Sequence, residues 1–228
     1  AKANAEKNLQ NARALFESHL NDIFKKKGKG WVEKKLGSIY KFKNGINFDK
    51  TQKINRGILT IDVLNMYGDD LAVNLDNLYR INKDVSGEYI LHDGDILVVR
   101  SSVKKEGVGW AALFRETNEP ITFCGFIIRG RAVEDINSKY TTYFLRCGLA
   151  RDELIRRATQ STITNINQFN LGELVIPIPS GAEQKKLVSN FENLYTETRH
   201  LESIYQRKLD ELEALKKSLL HQAFAGPL

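Results

Sequence analysis

The sequence predicts an α+β protein: a globular mixed α/β body with a curved sheet, followed by a long projecting α-helix that forms a coiled coil. Three observations carry this prediction. From Glu183 to about Phe224 the chain holds neither proline nor glycine and places apolar residues on a 4-3 spacing. Ahead of it, short β-branched and aromatic runs bounded by Gly, Asn and Asp read as strands. A second helical pattern opens the chain and runs through about Phe24.

Taken in order, residues 1–24 are predicted as a helical segment. Lys25-Lys26-Lys27-Gly28-Lys29-Gly30 joins glycines to like charges that cannot continue a packed helix, so residues 25–30 read as a linker. Residues 31–180 form the body. Its predicted strands lie at 95–100, 109–114, 121–128 and 174–178, while Tyr140, Phe144, Cys147, Leu154, Ile155 and Ala158 follow helical spacing that breaks near Gly148. In Ile176-Pro177-Ile178-Pro179 the prolines end the last strand, and Ser180 or Gly181 can start the helix of residues 181–228. There Leu187, Phe191, Leu194, Leu201, Tyr205, Leu212, Leu215 and Leu219 define the expected seam. At about 1.5 Å per residue such a helix is roughly 60 Å long, more than a small domain needs, so it calls for a partner helix. An internal repeat points the same way: Leu9, Ala14, Leu15, Ser18, Leu20 and Phe24 recur as Leu209, Ala214, Leu215, Ser218, Leu220 and Phe224, all at an offset of 200.

Composition narrows the function classes. With 228 residues, 42% hydrophobic and 27% charged, the chain can bury a core and is neither disordered nor collagen-like. It has no run of about 18 apolar residues and no signal-peptide centre at its start, which predicts a cytoplasmic protein without a membrane partner. Only Cys124 and Cys147 are present, and without a CxxC neither a disulfide framework nor a structural zinc site is expected. The phosphate loop GxxxxGK[ST], HExxH, GxSxG and GxGxxG are all missing. His19, His92, His200 and His221 are isolated, and Asp93 and Asp95 flank Gly94 as turn residues do. No catalytic or metal-binding residue is therefore assigned.

The formal charge of +6 permits a polyanionic partner, and its placement matters more than its total. Basic residues outnumber acidic ones 7 to 2 in residues 31–61, acidic outnumber basic 8 to 2 in 62–95, and basic lead 11 to 8 in 96–180. This alternation fits a body with one basic and one acidic face. Three loop-like stretches suit nucleic acid. Lys41, Lys43 and Asn44 precede Gly45, and Arg56 precedes Gly57, pairing polar groups with glycines that let a backbone approach a phosphate. Arg100, Ser101, Lys104 and Lys105 follow a strong strand. Arg156, Arg157, Gln160, Ser161, Thr162, Thr164 and Asn165 add amides that can pair with adenine edges and guanidiniums that can pair with guanine.

In combination the chain resembles the specificity subunit of a Type I restriction-modification system. The resemblance rests on Trp31-Val32-Glu33-Lys34-Lys35-Leu36-Gly37, on Gly94-Asp95-Ile96-Leu97 leading to Arg100-Ser101, and on Ile163-Thr164-Asn165-Ile166-Asn167. It closes on Leu174-Val175-Ile176-Pro177-Ile178-Pro179 followed by Glu183-Gln184. It implies a target recognition domain at 31–180 that reads one half of a bipartite double-stranded DNA target, and a long helix acting as spacer. Only one such domain is present, and residues 1–24 resemble the end of the central helix of a two-domain subunit. The resemblance further implies a non-catalytic chain that docks modification (methyltransferase) subunits through its helices and meets a restriction subunit through the complex. It implies no cofactor in this chain, with S-adenosylmethionine and ATP on the partner subunits. The uncovered seam adds the expectation of a homodimer through the long helices. Two other readings remain open: a small DNA-acting enzyme, nuclease or methyltransferase, and a coiled-coil scaffold.

Overall fold

The computed structural model describes residues 2–68, 70–159 and 163–226. Its elements run in the order α1 (Lys2–Lys26), β1 (Val32–Lys35), α2 (Leu36–Ile39), β2 (Tyr40–Asn44), β3 (Lys53–Ile54), β4 (Ile58–Ile61) and β5 (Tyr79–Ile81). They continue through β6 (Ile96–Val99), β7 (Ser101–Ser102), β8 (Ala111–Leu113), β9 (Ile121–Phe123) and β10 (Ile127–Ala132). The chain ends with α3 (Ser138–Arg146), α4 (Gly148–Arg157), β11 (Thr164–Asn165), α5 (Gln168–Gly172), β12 (Val175–Ile178) and α6 (Gly181–Ala225). Two compact units result: Phe24–Lys186, the body, and a helical unit made of the chain up to Ile23 together with the chain from Leu187 on.

The body is α+β, as the sequence predicts. Its strands are short and divide among an antiparallel sheet ordered β2-β10-β6-β8, a mixed sheet ordered β3-β5-β4-β9 whose β4–β9 pair is parallel, and the two-stranded pairs β1-β12 and β7-β11. The run Ile96-Leu97-Val98-Val99 is buried on both faces, which is why it carries no polar alternation. Leu97 and Val99 join Ile61, Met66, Phe114, Ile121, Phe123 and Ile127 in the core. β10 is central in its sheet and carries two arginines inward. Arg131 meets the buried carboxylate of Asp95 with Nε 2.8 Å from Oδ1 and Nη2 2.6 Å from Oδ2, and the His92 N–H donates to the same carboxylate at 2.8 Å. Arg129 donates to the Glu88 carbonyl at 2.8 Å. Paired and hydrogen-bonded in this way, Arg131 and Asp95 can occupy the interior, whereas the Nε of Arg129 is buried without a partner among the described residues. Asp95 is thus a structural residue, and Asp93 accepts the Glu116 N–H beside Arg115.

Three expectations need correction. Residues 41–44 form strand β2, paired with β10, and are not a loop. The predicted strand at 121–128 is two strands, because Ile127 N–H donates back to the Cys124 carbonyl at 3.0 Å and turns the chain between β9 and β10. The first helix does not stop at Phe24 but continues through Lys26, ending where Lys27 takes φ 51°. Within the expected linker, Lys27 to Trp31 forms a turn in which the Trp31 N–H donates to the Gly28 carbonyl. Gly28 lies against the Trp31 indole, where a Cβ would come 2.2 Å from Nε1, and Lys27 pairs with Glu33.

In the helical unit, α1 runs antiparallel to α6: Arg13 pairs with Glu202, Phe16 meets Tyr195 with ring centroids 5.4 Å apart, and His19 meets Phe191 at 6.5 Å. Ala5, Leu9, Ala12 and Leu20 are buried on the part of α1 within this unit. On α6 the covered positions are Val188, Phe191, Tyr195, Thr198, Glu202, Tyr205, Leu209 and Leu212, a heptad register shared only in part with the predicted one. Phe191, Tyr205 and Leu212 lie on it, whereas Leu187 and Leu194 lie beside it and Leu201, Leu215 and Leu219 are exposed. Leucines are poor markers of this seam because it tolerates polar residues that have partners: buried Thr198 donates to the Leu194 carbonyl at 2.9 Å, and Glu202 meets Arg13. Because α1 is 25 residues long, it supplies far more than the few turns its end suggests.

This register makes a test. Phe191→Ala should lower unfolding stability by about 3–5 kcal/mol, while Leu215→Ala leaves it within about 0.5 kcal/mol. Urea midpoints of the dilute chain would show equal losses if the predicted register were the true one.

Candidate functional site

Two of the three predicted stretches come together at one end of the body. β6 leads through Arg100 into β7, which pairs antiparallel with β11 so that Ser101 faces Asn165 and Ser102 faces Thr164. The Arg100 backbone ties the site to the core. Its N–H donates to the Phe126 carbonyl at 2.8 Å, its carbonyl accepts from the Ile166 N–H at 2.9 Å, and its guanidinium reaches the Gly125 carbonyl at 3.2 Å. Thr159 and Asn165 exchange both backbone hydrogen bonds, at 2.8 and 3.0 Å, and so close the loop between them. Gln160, Ser161 and Thr162, expected at the DNA surface, lie outside the described residues.

Beside this ribbon lies a cavity of about 910 Å³, lined chiefly by Val63 and Leu64 of a 3-10 turn (Val63–Met66), Tyr67, Ser101, Ser102, Val103, Lys104, Glu106, Gly107, Trp110, Phe126 and Ile163. Asp62 caps the 3-10 turn by accepting the Val63 N–H at 2.7 Å. Tyr67 Oη lies 3.5 Å from Ser102 Oγ, bridging the turn to β7. Gly107 packs closely here, where a Cβ would displace the side-chain ends of Ser102, at 2.3 Å from Oγ, and Tyr67, at 2.5 Å from Oη. Behind it, Arg151 holds the Val108 and Glu106 carbonyls, and Arg146 stacks over Trp110 at 4.8 Å while donating to the Ala111 carbonyl. The loop is therefore pinned from below.

The remaining predicted residues fall into distinct environments. Lys104, which lines the cavity, and its neighbour Lys105 are exposed, and their side chains have no partner among the described residues; the same holds for Lys41 and Arg56 elsewhere. Lys43 is engaged, 2.8 Å from Glu88 and 4.4 Å over the Tyr89 ring. Arg156 and Arg157 both bind Glu153, whose carboxyl they hold below its ordinary range. Asn44 faces the Gln168 amide. Thr164 is buried, and Asn165 spends its amide internally, accepting from Ser101 Oγ at 2.5 Å and donating to the Ile163 carbonyl at 2.9 Å. The glycines of the first stretches serve packing: a Cβ at Gly45 would lie 2.1 Å from the Cys124 carbonyl, and one at Gly57 2.0 Å from the Ile81 carbonyl. Lys41 lines a separate depression of about 550 Å³ with Phe42, Gln168 and Phe169.

Both thiols are buried, and burial beside Asp62 pushes that of Cys124 up to about 12. Among the described residues no group of three or more His, Cys, Asp or Glu is placed to hold a metal ion, and no helix is long and apolar enough to cross a membrane. What the site offers is an ordered two-stranded ribbon with unpaired lysines on one side and an apolar concavity beneath. Sequence reasoning misses the apolar rim, because Leu64, Val103 and Phe126 are far apart in the sequence and only the fold brings them to one cavity. Removing the Ser101 hydroxyl tests the ribbon: Ser101→Ala should cost about 1 kcal/mol locally and speed amide exchange at Thr159 and Asn165 about fivefold.

The family model for the Type I restriction modification DNA specificity domain matches residues 17–214. The specificity subunit of the Type I restriction enzyme EcoEI from Escherichia coli is 31% identical over 141 residues, covering 60% of this chain and 22% of that protein. A chain from a structural study of complex assembly and conformational transition in the type I R-M system superposes with a TM-score of 0.81 at 17% identity, covering 100% of this chain and 55% of that one. The HsdS subunit crystal structure from Thermoanaerobacter tengcongensis gives 0.69 at 18% identity, again covering 100% of this chain and 54% of the other. These two show the shared fold of a mixed body and a long C-terminal helix. The chain spans about a fifth of the EcoEI subunit and about half of each solved chain. Since the family model spans most of its length, the chain belongs to the Type I restriction-modification DNA specificity domain family.

Proposed function

We propose that this chain is a non-catalytic, sequence-specific DNA recognition module that reads one half of a bipartite target through the β7–β11 end of the body. The family match over residues 17–214 carries this reading. The site supports it chemically: Lys104 and Lys105 are free to neutralise phosphates, and the pinned ribbon presents loops to a groove at little ordering cost. Arg100, Ser101 and Asn165 act as positioning residues for that loop, with Gln160 and Thr162 as the side chains most suited to base edges. Modification subunits dock on the helical unit, and S-adenosylmethionine and ATP belong to partner subunits. Asp95, the carboxylate an enzyme reading would need, is committed to Arg131, which disfavours that alternative.

We also propose that the apolar stripe left open on α6, Leu201, Ile204, Leu215 and Leu219, is an assembly surface covered by the long helix of a second copy. α1 already fills the proximal seam within its own chain, so the copies meet along the distal stripe, and two identical domains then read an inverted repeat.

Two measurements check these readings. Lys104→Ala and Lys105→Ala should each weaken duplex binding on every sequence and lower the salt slope by about 1, while the pure chain with magnesium, ATP and S-adenosylmethionine neither methylates nor cleaves. Methyl transfer, cleavage, or binding indifferent to both lysines would contradict the first reading. Sedimentation equilibrium at tens of micromolar should give a dimer that Leu215→Asp converts to monomer; a monomer throughout would leave the stripe to modification subunits alone.

A further inference from the structure

The cavity beside the ribbon is bordered by apolar side chains that core packing does not explain. Leu64 is 84% exposed, Val103 83% and Phe126 56%. They come from three separate segments: the 3-10 turn Val63–Met66, the loop after β7, and the turn between β9 and β10. One exposed leucine on a soluble protein is ordinary, but three such groups converging on one concavity mark a contact surface. They stand on a fixed scaffold, because Asp62 caps the first segment, Gly107 and Ser102 pack the second against Tyr67, and the Arg100 N–H holds the Phe126 carbonyl of the third.

Charge and continuity decide what such a surface would meet. Val103 is followed directly by Lys104 and Lys105, whose side chains have no partner among the described residues, and it comes directly after the strand that pairs with Thr164 and Asn165. A phosphate-bearing partner therefore places its backbone beside the very residues that expose hydrocarbon. Base edges in the major groove offer one apolar group, the 5-methyl of thymine. We propose that Leu64 and Val103, with Phe126 behind them, contact thymine methyl groups in the major groove, so that the half-site includes at least one A·T pair recognised through its methyl. This inference rests on the DNA-recognition reading above and adds specificity-determining residues that carry no hydrogen-bonding group.

Uracil tests it, since it lacks the methyl yet keeps every hydrogen-bonding edge of thymine. The full chain would select duplexes from a randomised pool at low salt, and the winning sequence would be synthesised with thymine or with deoxyuridine. Wild type should bind the uracil duplex about fourfold more weakly per contacted methyl. Val103→Ser and Leu64→Ser, at positions too exposed to affect folding, should each reduce that discrimination, and the double variant should bind both duplexes alike. Equal wild-type binding to both duplexes, a selected sequence without thymine, or discrimination unchanged in the double variant would overturn the inference and leave the patch to a protein partner. If Lys104→Ala still weakens binding of the same duplex in those cases, the DNA-recognition reading survives; if no duplex is enriched, both fall.

Discussion

The backbone of Arg100 is the constraint on which the functional end of the body depends. One residue after a strand buried on both faces, it donates to the Phe126 carbonyl on one side and accepts from Ile166 on the other. Three segments distant in sequence are thereby fixed to the core within two hydrogen bonds. Each such bond contributes only about 1 kcal/mol net, but leaving either group unpaired against the core would cost about 1–3 kcal/mol. The β7–β11 ribbon is thereby tied to the core.

Polar groups in the body show a division of labour that derives from this constraint. Several near the core are satisfied internally: Asp95 by Arg131, Arg151 by backbone carbonyls, Asn165 by Ser101 and Ile163. Among those left exposed are Lys104 and Lys105 at the surface, with hydrocarbon at the cavity rim. Rigid internal networks supply geometry, while the exposed groups supply charge and shape. This arrangement allows loop residues to vary in chemistry without disturbing the scaffold that aims them.

Much of the architecture is legible in the sequence. The unbroken run from Glu183, the four-residue apolar strand at 96–99, the Gly148 break between α3 and α4, and the prolines before α6 each have a local physical signature, and the structure contains all four. The heptad register is not legible, because leucines occupy both the covered face and its neighbour while Thr198 and Glu202 sit on the seam. Strand β2 reads as a loop in sequence because its lysines and Gly45 resemble a phosphate-binding stretch; pairing with β10, a tertiary fact, decides otherwise. At the site, residue types alone single out the stretches around Arg100 and Asn165, and the fold joins them as β7 and β11. Which of their amides are free cannot be seen without the hydrogen bonds that consume them. The apolar rim has no sequence signal at all, since Leu64, Val103 and Phe126 meet only through the fold.

The central claim is that the β7–β11 end of the body determines the sequence of a half-site while the helices determine spacing. Methylation-motif sequencing of cells carrying a complete system tests it most directly, comparing the wild-type chain with one substituted at Leu64, Val103 and Lys104. The account predicts a bipartite motif whose half-site sequence changes or relaxes in the variant while the spacer length stays the same. An unchanged motif, or a changed spacer with the half-site intact, would contradict it.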